Sequence, residues 1–228
     1  MATDEKTWRR LADAVRAVSS QPDRGSTLQE IVDQAVTAVP GFAHAGITLR
    51  RADGTVDTPA ATDALVRRAD EAQYELQEGP CIDAVWVDDT YTIPDLRQET
   101  RWPRWAPVAA DLGIRSVLSV RMATPETVVG GLNLYATEPC DRFDPDVVQQ
   151  AHFYADAAGT ALAVATRTEG LSSSLQTRHL IGMAQGILMQ RYQLDTESAF
   201  AVLRRQSQDS NVKLRDVARQ VVDGRADL

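Results

Sequence analysis

All ten prolines of this 228-residue chain lie at or before position 145. Proline removes a backbone donor and clashes with the preceding turn of a helix, so the proline-free remainder is where long helices can form. Asp144-Pro145 is a good helix start, with Asp as cap and Pro at the first helical position. Beyond it Val147, Ala151, Tyr154, Ala158, Ala161 and Ala165 recur at spacings of 4, 3, 4, 3 and 4. That is a heptad seam, rich in alanines that permit close approach. The helix is free to run on towards Tyr192, with Gly170 and Ser172–Ser174 as a point where it can kink or break. Such a seam can fold back on its own domain or meet a second copy. The polar neighbours Gln150, Asp156 and Arg167 favour the dimer.

Two short helices are expected after Tyr192. Asp195 or Thr196 caps the first, which turns Ala199, Phe200 and Leu203 inward. Asn211 is expected to cap the second, whose Leu214, Val217, Ala218, Val221 and Val222 form an i, i+3, i+4, i+7, i+8 stripe before Gly224 stops it. Together these make a minimal three-helix bundle, small enough for dimerisation to help it fold.

The chain before Asp144 has a different grain. Helical patterns cover 5–20 and 28–39, then segments of strand character follow at 45–50, 55–61, 91–93, 116–122 and 128–136. Asp53-Gly54 marks a hairpin turn, and helices intervene near 64–76 and 105–112. The order predicts an α+β sensor domain, a central antiparallel sheet flanked by helices. The expected division is an N-terminal helix at 1–21, the sensor domain with its signalling helix at 22–166, and the bundle at 167–228.

Charge separates the same two parts. The net charge is −8, which argues against bulk non-specific binding to nucleic acid. From Leu171 onward, however, eight Lys/Arg stand against six Asp/Glu, while residues 1–170 hold 16 basic and 26 acidic residues. The tail is therefore the part suited to a polyanion. No run of about 20 apolar residues and no secretory leader is present, so a cytoplasmic protein is expected.

Nothing in the sequence has the spacing of an active site. His44, His152 and His179 are isolated, and Cys81 and Cys140 are too few for a disulfide framework or zinc cluster. No metal or cofactor is implied, and an enzyme is not expected. Cys81, after Gly79-Pro80, can be a sensing thiol at a helix start or a small buried residue. Tyr74, Trp86, Trp102 and Trp105 can line a small-molecule pocket with it or belong to the core. In the tail, Arg191, Arg204, Arg205, Lys213, Arg215 and Arg219 alternate with the apolar stripes and must project outward, beside the polar Gln185, Ser207 and Asn211. Exposed arginines pair with phosphates or stack on splayed bases, and the alternative is an ordinary solvated face.

The tail resembles the ANTAR domain. The likeness runs from Thr177-Arg178-His179-Leu180-Ile181 through Ala184-Gln185-Gly186-Ile187-Leu188-Met189 and Glu197-Ser198-Ala199-Phe200 to Asn211-Val212-Lys213-Leu214-Arg215-Asp216-Val217-Ala218. Gln185 stands where many members carry lysine. The body resembles a GAF domain of the kind joined to ANTAR in actinobacteria, through Ala72-Gln73-Tyr74-Glu75, Glu78-Gly79-Pro80-Cys81 and Gly113-Ile114-Arg115-Ser116-Val117-Leu118. The resemblance implies a homodimer that binds paired stem-loops in nascent messenger RNA and so prevents a terminator hairpin from forming. It also implies a small-molecule or redox signal at the GAF domain. RNA contact is expected at Gln185, Gly186, Arg191, Arg204, Ser207, Asn211 and Lys213. The rival readings are a DNA-binding regulator and a Cys81-dependent redox sensor or reductase.

Overall fold

The computed structural model describes residues 5–51, 53–87 and 89–225, and for Val85 and Trp86 the backbone alone. Two compact units divide the chain, Met1–Thr166 and Arg167–Leu228.

The first unit opens with two helices, α1 (Glu5–Ser19) and α2 (Arg24–Ala38). Asp23 starts α2 by accepting a hydrogen bond from the Ser26 amide, so the helix begins earlier than its apolar stripe suggests. Strands β1 (His44–Arg50) and β2 (Val56–Ala61) form a hairpin. Helices α3 (Ala64–Leu76) and α4 (Pro80–Trp86) lead to β3 (Thr90–Ile93). Then come α5 (Trp105–Asp111), β4 (Ser116–Ala123) and β5 (Val128–Ala136). The five strands form one sheet in the order β2-β1-β5-β4-β3, antiparallel throughout.

Alternation along the strands sorts side chains to the two faces. Ile47, Leu118, Val120, Leu132 and Leu134 join Leu11, Ile31, Val32 and Tyr154 in a core beneath the first two helices. On the opposite face Val117, Ile93 and Tyr135 pack with Val66, Ala69, Cys81, Trp102 and Trp105 from the intervening helices.

Helix α6 (Pro145–Tyr192) runs unbroken through Gly170 and the serines that follow. Its first part completes the first core, which corrects the expected dimer seam. Ala151, Tyr154 and Ala158 are buried in that core, Val147 and Ala161 pack against it, and Ala165 is half-buried. The Tyr154 hydroxyl donates to the Ile31 carbonyl at 2.8 Å. A row of small residues lets a helix approach a sheet as closely as another helix, so the heptad spacing serves an internal contact.

The second unit joins the end of α6 to α7 (Thr196–Ser210) and α8 (Leu214–Val222). Its core is small: Ala184, Leu188, Ala199, Leu203, Val217, Ala218 and Val221. Asp195 caps α7 through the Ser198 amide at 2.8 Å. Asn211 does not cap α8 as expected. It ends α7 in the left-handed region at φ 55°, a conformation asparagine tolerates, and Lys213 occupies the position before α8. Residues 167–176 of α6 are exposed on every side, including Leu171 (62%) and Leu175 (65%).

Candidate functional site

The face of the sheet beneath α3 and α4 carries a buried polar cluster that sequence patterns leave mostly hidden. Thr48 of β1, Ser119 of β4 and Asn133 of β5 are fully buried, as are Asp70 and Gln73 of α3 and Cys81 of α4. Gly79, at φ 148°, turns the chain into α4, and a Cβ there would lie 2.1 Å from the Gln73 amide oxygen. That close approach lets Gln73 hold α4 at both ends of its amide. Its Oε1 accepts from the Cys81 N–H at 2.9 Å, and its Nε2 donates to Cys81 Sγ at 2.7 Å.

Asp70 is the hub. Its carboxylate accepts from the Tyr135 hydroxyl and, at 2.7 Å, from the Thr58 hydroxyl. Tyr74 bonds to Thr58 at 2.7 Å and to Thr48 at 3.0 Å, and Asn133 Nδ2 donates to Thr48 at 2.9 Å. Burial pushes Asp70 up to about 6 against the pull of the hydrogen bonds from Tyr135, Thr58 and Cys81. Burial, reinforced by the nearby Asp70 charge, also pushes the Cys81 thiol and the Tyr135 phenol up.

The polar network is not closed. Ser119 Oγ and Asn133 Oδ1 have no hydrogen-bond partner among the described residues, and the two residues face one another across β4 and β5. Two positions along β4 on the same face, half-buried Arg121 donates Nε to the Ala84 carbonyl of α4 at 3.0 Å.

Of the expected pocket residues, Tyr74 and Cys81 belong to this network. Trp102 and Trp105 are core residues: they meet edge to face at 6.3 Å, and their ring N–H groups donate to Asp83 Oδ2 and the Ala69 carbonyl. The side chain of Trp86 lies outside the described residues. Cys81 does begin a helix, but complete burial outweighs the stabilisation a helix N-terminus gives a thiolate. Among the described residues no group of three or more His, Cys, Asp or Glu is placed to hold a metal ion.

In the second unit, Gly186, Arg191, Arg204, Asn211 and Lys213 are exposed. Arg204 and Ser207 share one face of α7 by their spacing, and Asn211 and Lys213 lie in the turn between α7 and α8. Ser207 is half-buried and spends its hydroxyl on the Val212 carbonyl at 2.6 Å. Gln185 is half-buried too, donating to the Thr196 carbonyl at 3.1 Å and tying α6 to the start of α7. Arg191 lies 5.9 Å from the Tyr192 ring. A groove of about 490 Å³ between α6 and α8, lined by His179, Leu180, Met183, Arg215 and Arg219 among others, brings two more arginines together.

A family model described as GAF domain matches residues 21–163, and one described as ANTAR domain matches residues 169–222. No curated protein matches the chain. Among solved structures the chain is similar to a bacteriophytochrome from the photosynthetic bacterium R. palustris, at 13% identity and a TM-score of 0.58, covering 82% of this chain and 44% of that one. It is similar to the photosensory core module of a Stigmatella aurantiaca phytochrome at 11% identity and a TM-score of 0.61, covering 89% and 45%. The GAF domain of an Acinetobacter phosphoenolpyruvate-protein phosphotransferase matches at 14% identity and a TM-score of 0.57, covering 74% and 99%. The chain thus spans less than half of either phytochrome chain. At these identities the likeness is one of fold. Among the described residues no helix is long and apolar enough to cross a membrane.

Proposed function

The chain belongs to the GAF domain family and carries an ANTAR domain behind its sensor, and on that premise we propose that it is a signal-responsive regulator that promotes transcription antitermination by binding paired stem-loops in nascent messenger RNA. A GAF domain is a sensor and an ANTAR domain an RNA-binding antitermination domain. The observation that carries the reading is the ANTAR match over 169–222, on a unit whose basic side chains point away from its core.

RNA contact is assigned to Arg204, Asn211 and Lys213 with Gly186 and Arg191, all of them at the exposed surface of the bundle, where basic groups meet phosphates and splayed bases. Gln185 and Ser207 have backbone partners within the bundle and would contribute through what those bonds leave free. The protein works as a homodimer. A helical stretch exposed on every side gains little packing and is marginal in water. Residues 167–176 of α6 are such a stretch, and a second copy laid along Leu171 and Leu175 supplies the missing contact. The signal, a small molecule at the polar face beneath α4, acts by binding one arrangement of the sensor more tightly than another. A role for Cys81 as a reactive thiol is disfavoured by its burial and raised pKa.

The test is binding of the purified protein to an RNA with two adjacent hairpin loops, against a single hairpin and duplex DNA. Preference for the paired hairpins supports the reading, and preference for duplex DNA replaces it with a DNA-binding regulator. Arg204→Ala should weaken RNA binding on the order of tenfold with the fold intact. Unchanged affinity would remove Arg204 from the interface.

A further inference from the structure

The groove between α6 and α8, about 490 Å³ in volume, combines two kinds of side chain. From α6, half-buried Leu180 and exposed Met183 give it an apolar lining. From α8 come Arg215 and Arg219, both exposed and four residues apart on one face of the helix. Two like charges at that spacing repel, and an anion held between them relieves the repulsion. Arg219 has no ion-pair partner among the described residues, although Asp216 and Asp223 also line the groove. Arg215 meets Asp216 at 3.4 Å with both side chains about half exposed, at 51% and 46%. An exposed pair of this kind is weak and gives way to a phosphate, which takes two N–H groups from one guanidinium. Asp216 has a local role of its own, since it sits in the first turn of α8, where the helix dipole favours a negative charge.

We propose that this groove is a phosphate site that takes the sugar-phosphate backbone of the RNA stem, beyond the contacts at Arg204, Asn211 and Lys213. The inference rests on the RNA-binding reading of the second unit. Double-stranded RNA is recognised by shape and by its phosphates rather than by its base edges, so a stem needs cations spaced along a groove. Four residues of helix rise about 6 Å, which lets Arg215 and Arg219 reach neighbouring phosphates of one strand. The ribose carbons between those phosphates lie on Leu180 and Met183. Lys213 immediately precedes α8, so a strand held there continues along the helix into the groove. The placement also suits a dimer. At about 100° per residue, Leu171 and Leu175 lie on roughly the opposite side of α6 from Leu180. A second copy laid along those leucines leaves the groove open. Twofold symmetry then presents two such grooves, one for each of two stem-loops.

The full-length protein is titrated with an RNA of two adjacent hairpins over a series of salt concentrations. Replacing both arginines, Arg215→Gln with Arg219→Gln, should weaken binding on the order of tenfold or more. It should also lower the slope of log affinity against log salt by about 0.7–0.9 for each arginine. Arg219→Gln alone loses no ion pair, so its melting temperature should be unchanged or raised while its RNA affinity and salt slope fall. Arg205→Gln removes the same charge from α7, away from the groove, and should leave the slope nearly as it was. The losses should be the same when the loop bases are changed, because phosphate contacts carry no sequence information. Unchanged affinity and slope in both groove variants overturn the proposal, and so does an equal loss in Arg205→Gln, which would mean that net charge alone matters. A loss confined to one loop sequence overturns it too, since the groove would then be reading a base. In all three cases the parent still binds the paired hairpins and the antitermination reading stands. A parent that binds no hairpin RNA removes both.

Discussion

Asp70 is the residue on which the sensor's buried face turns, and its environment makes a signed prediction. Burial holds its carboxyl up at about 6, while an aspartate in the unfolded chain titrates near 3.9. The folded protein therefore holds that proton more tightly than the unfolded one. A charged Asp70 destabilises the fold by on the order of 3 kcal/mol, in full above about pH 6, and the penalty is relieved as pH falls towards about 4. Asp70→Asn has no such titration. As pH is lowered from about 7 to about 4.5, the melting temperature of the parent should rise relative to Asp70→Asn; parallel curves would sink the idea. Little of this was legible in the sequence, since nothing local marks Asp70 as buried. Thr48, Ser119 and Asn133 did leave a trace. Each sits between apolar residues in a strand, so alternation places all three on one face of the sheet. The bulky aromatics are the more conspicuous pocket candidates in the sequence, yet Trp102 and Trp105 are core.

At the scale of elements, periodicity carried most of the reading. The strands, α3 and α5 fall within a residue or two of their expected bounds, because turn residues and apolar alternation agree there. Helix α4 was reached only as a helix start at Cys81, being seven residues long with no stripe of its own. Helix α6 shows the limit of periodicity. Its heptad was real, but spacing reports that one side of a helix is buried, not what buries it. The later stretch of the same helix offers a cleaner test. Gly186 lies in the helix interior, and a Cβ added there would meet nothing within 4 Å, so alanine fits. Gly186→Ala should stabilise the helix by about 0.5–1 kcal/mol, since glycine gives up more backbone entropy. If RNA approaches the backbone at this point, the same methyl obstructs it. Thermal melts and RNA titration should then move in opposite senses, and a variant that is stabilised with undiminished RNA affinity would take Gly186 out of the interface.

The whole molecule divides its labour between two units with separate cores, and the cores differ greatly in size. A sheet covered on both faces buries enough apolar surface to stand by itself, whereas seven buried side chains in a bundle of about 60 residues are marginal. If dimerisation supplies what the bundle lacks, its stability depends on protein concentration, because a partner that binds only the folded state stabilises by mass action. The two transitions can be told apart by their chromophores. All four tryptophans, at positions 8, 86, 102 and 105, lie in the first unit. Far-ultraviolet circular dichroism, by contrast, sees the helices of both. Heating should give a lower dichroism transition that tryptophan fluorescence does not report, followed by a higher one that both report. Raising the protein concentration a hundredfold should move the lower transition up and leave the upper one in place. A single coincident transition, indifferent to concentration, would mean that the bundle needs no second copy, and the homodimer would have to be abandoned even if RNA binding were retained.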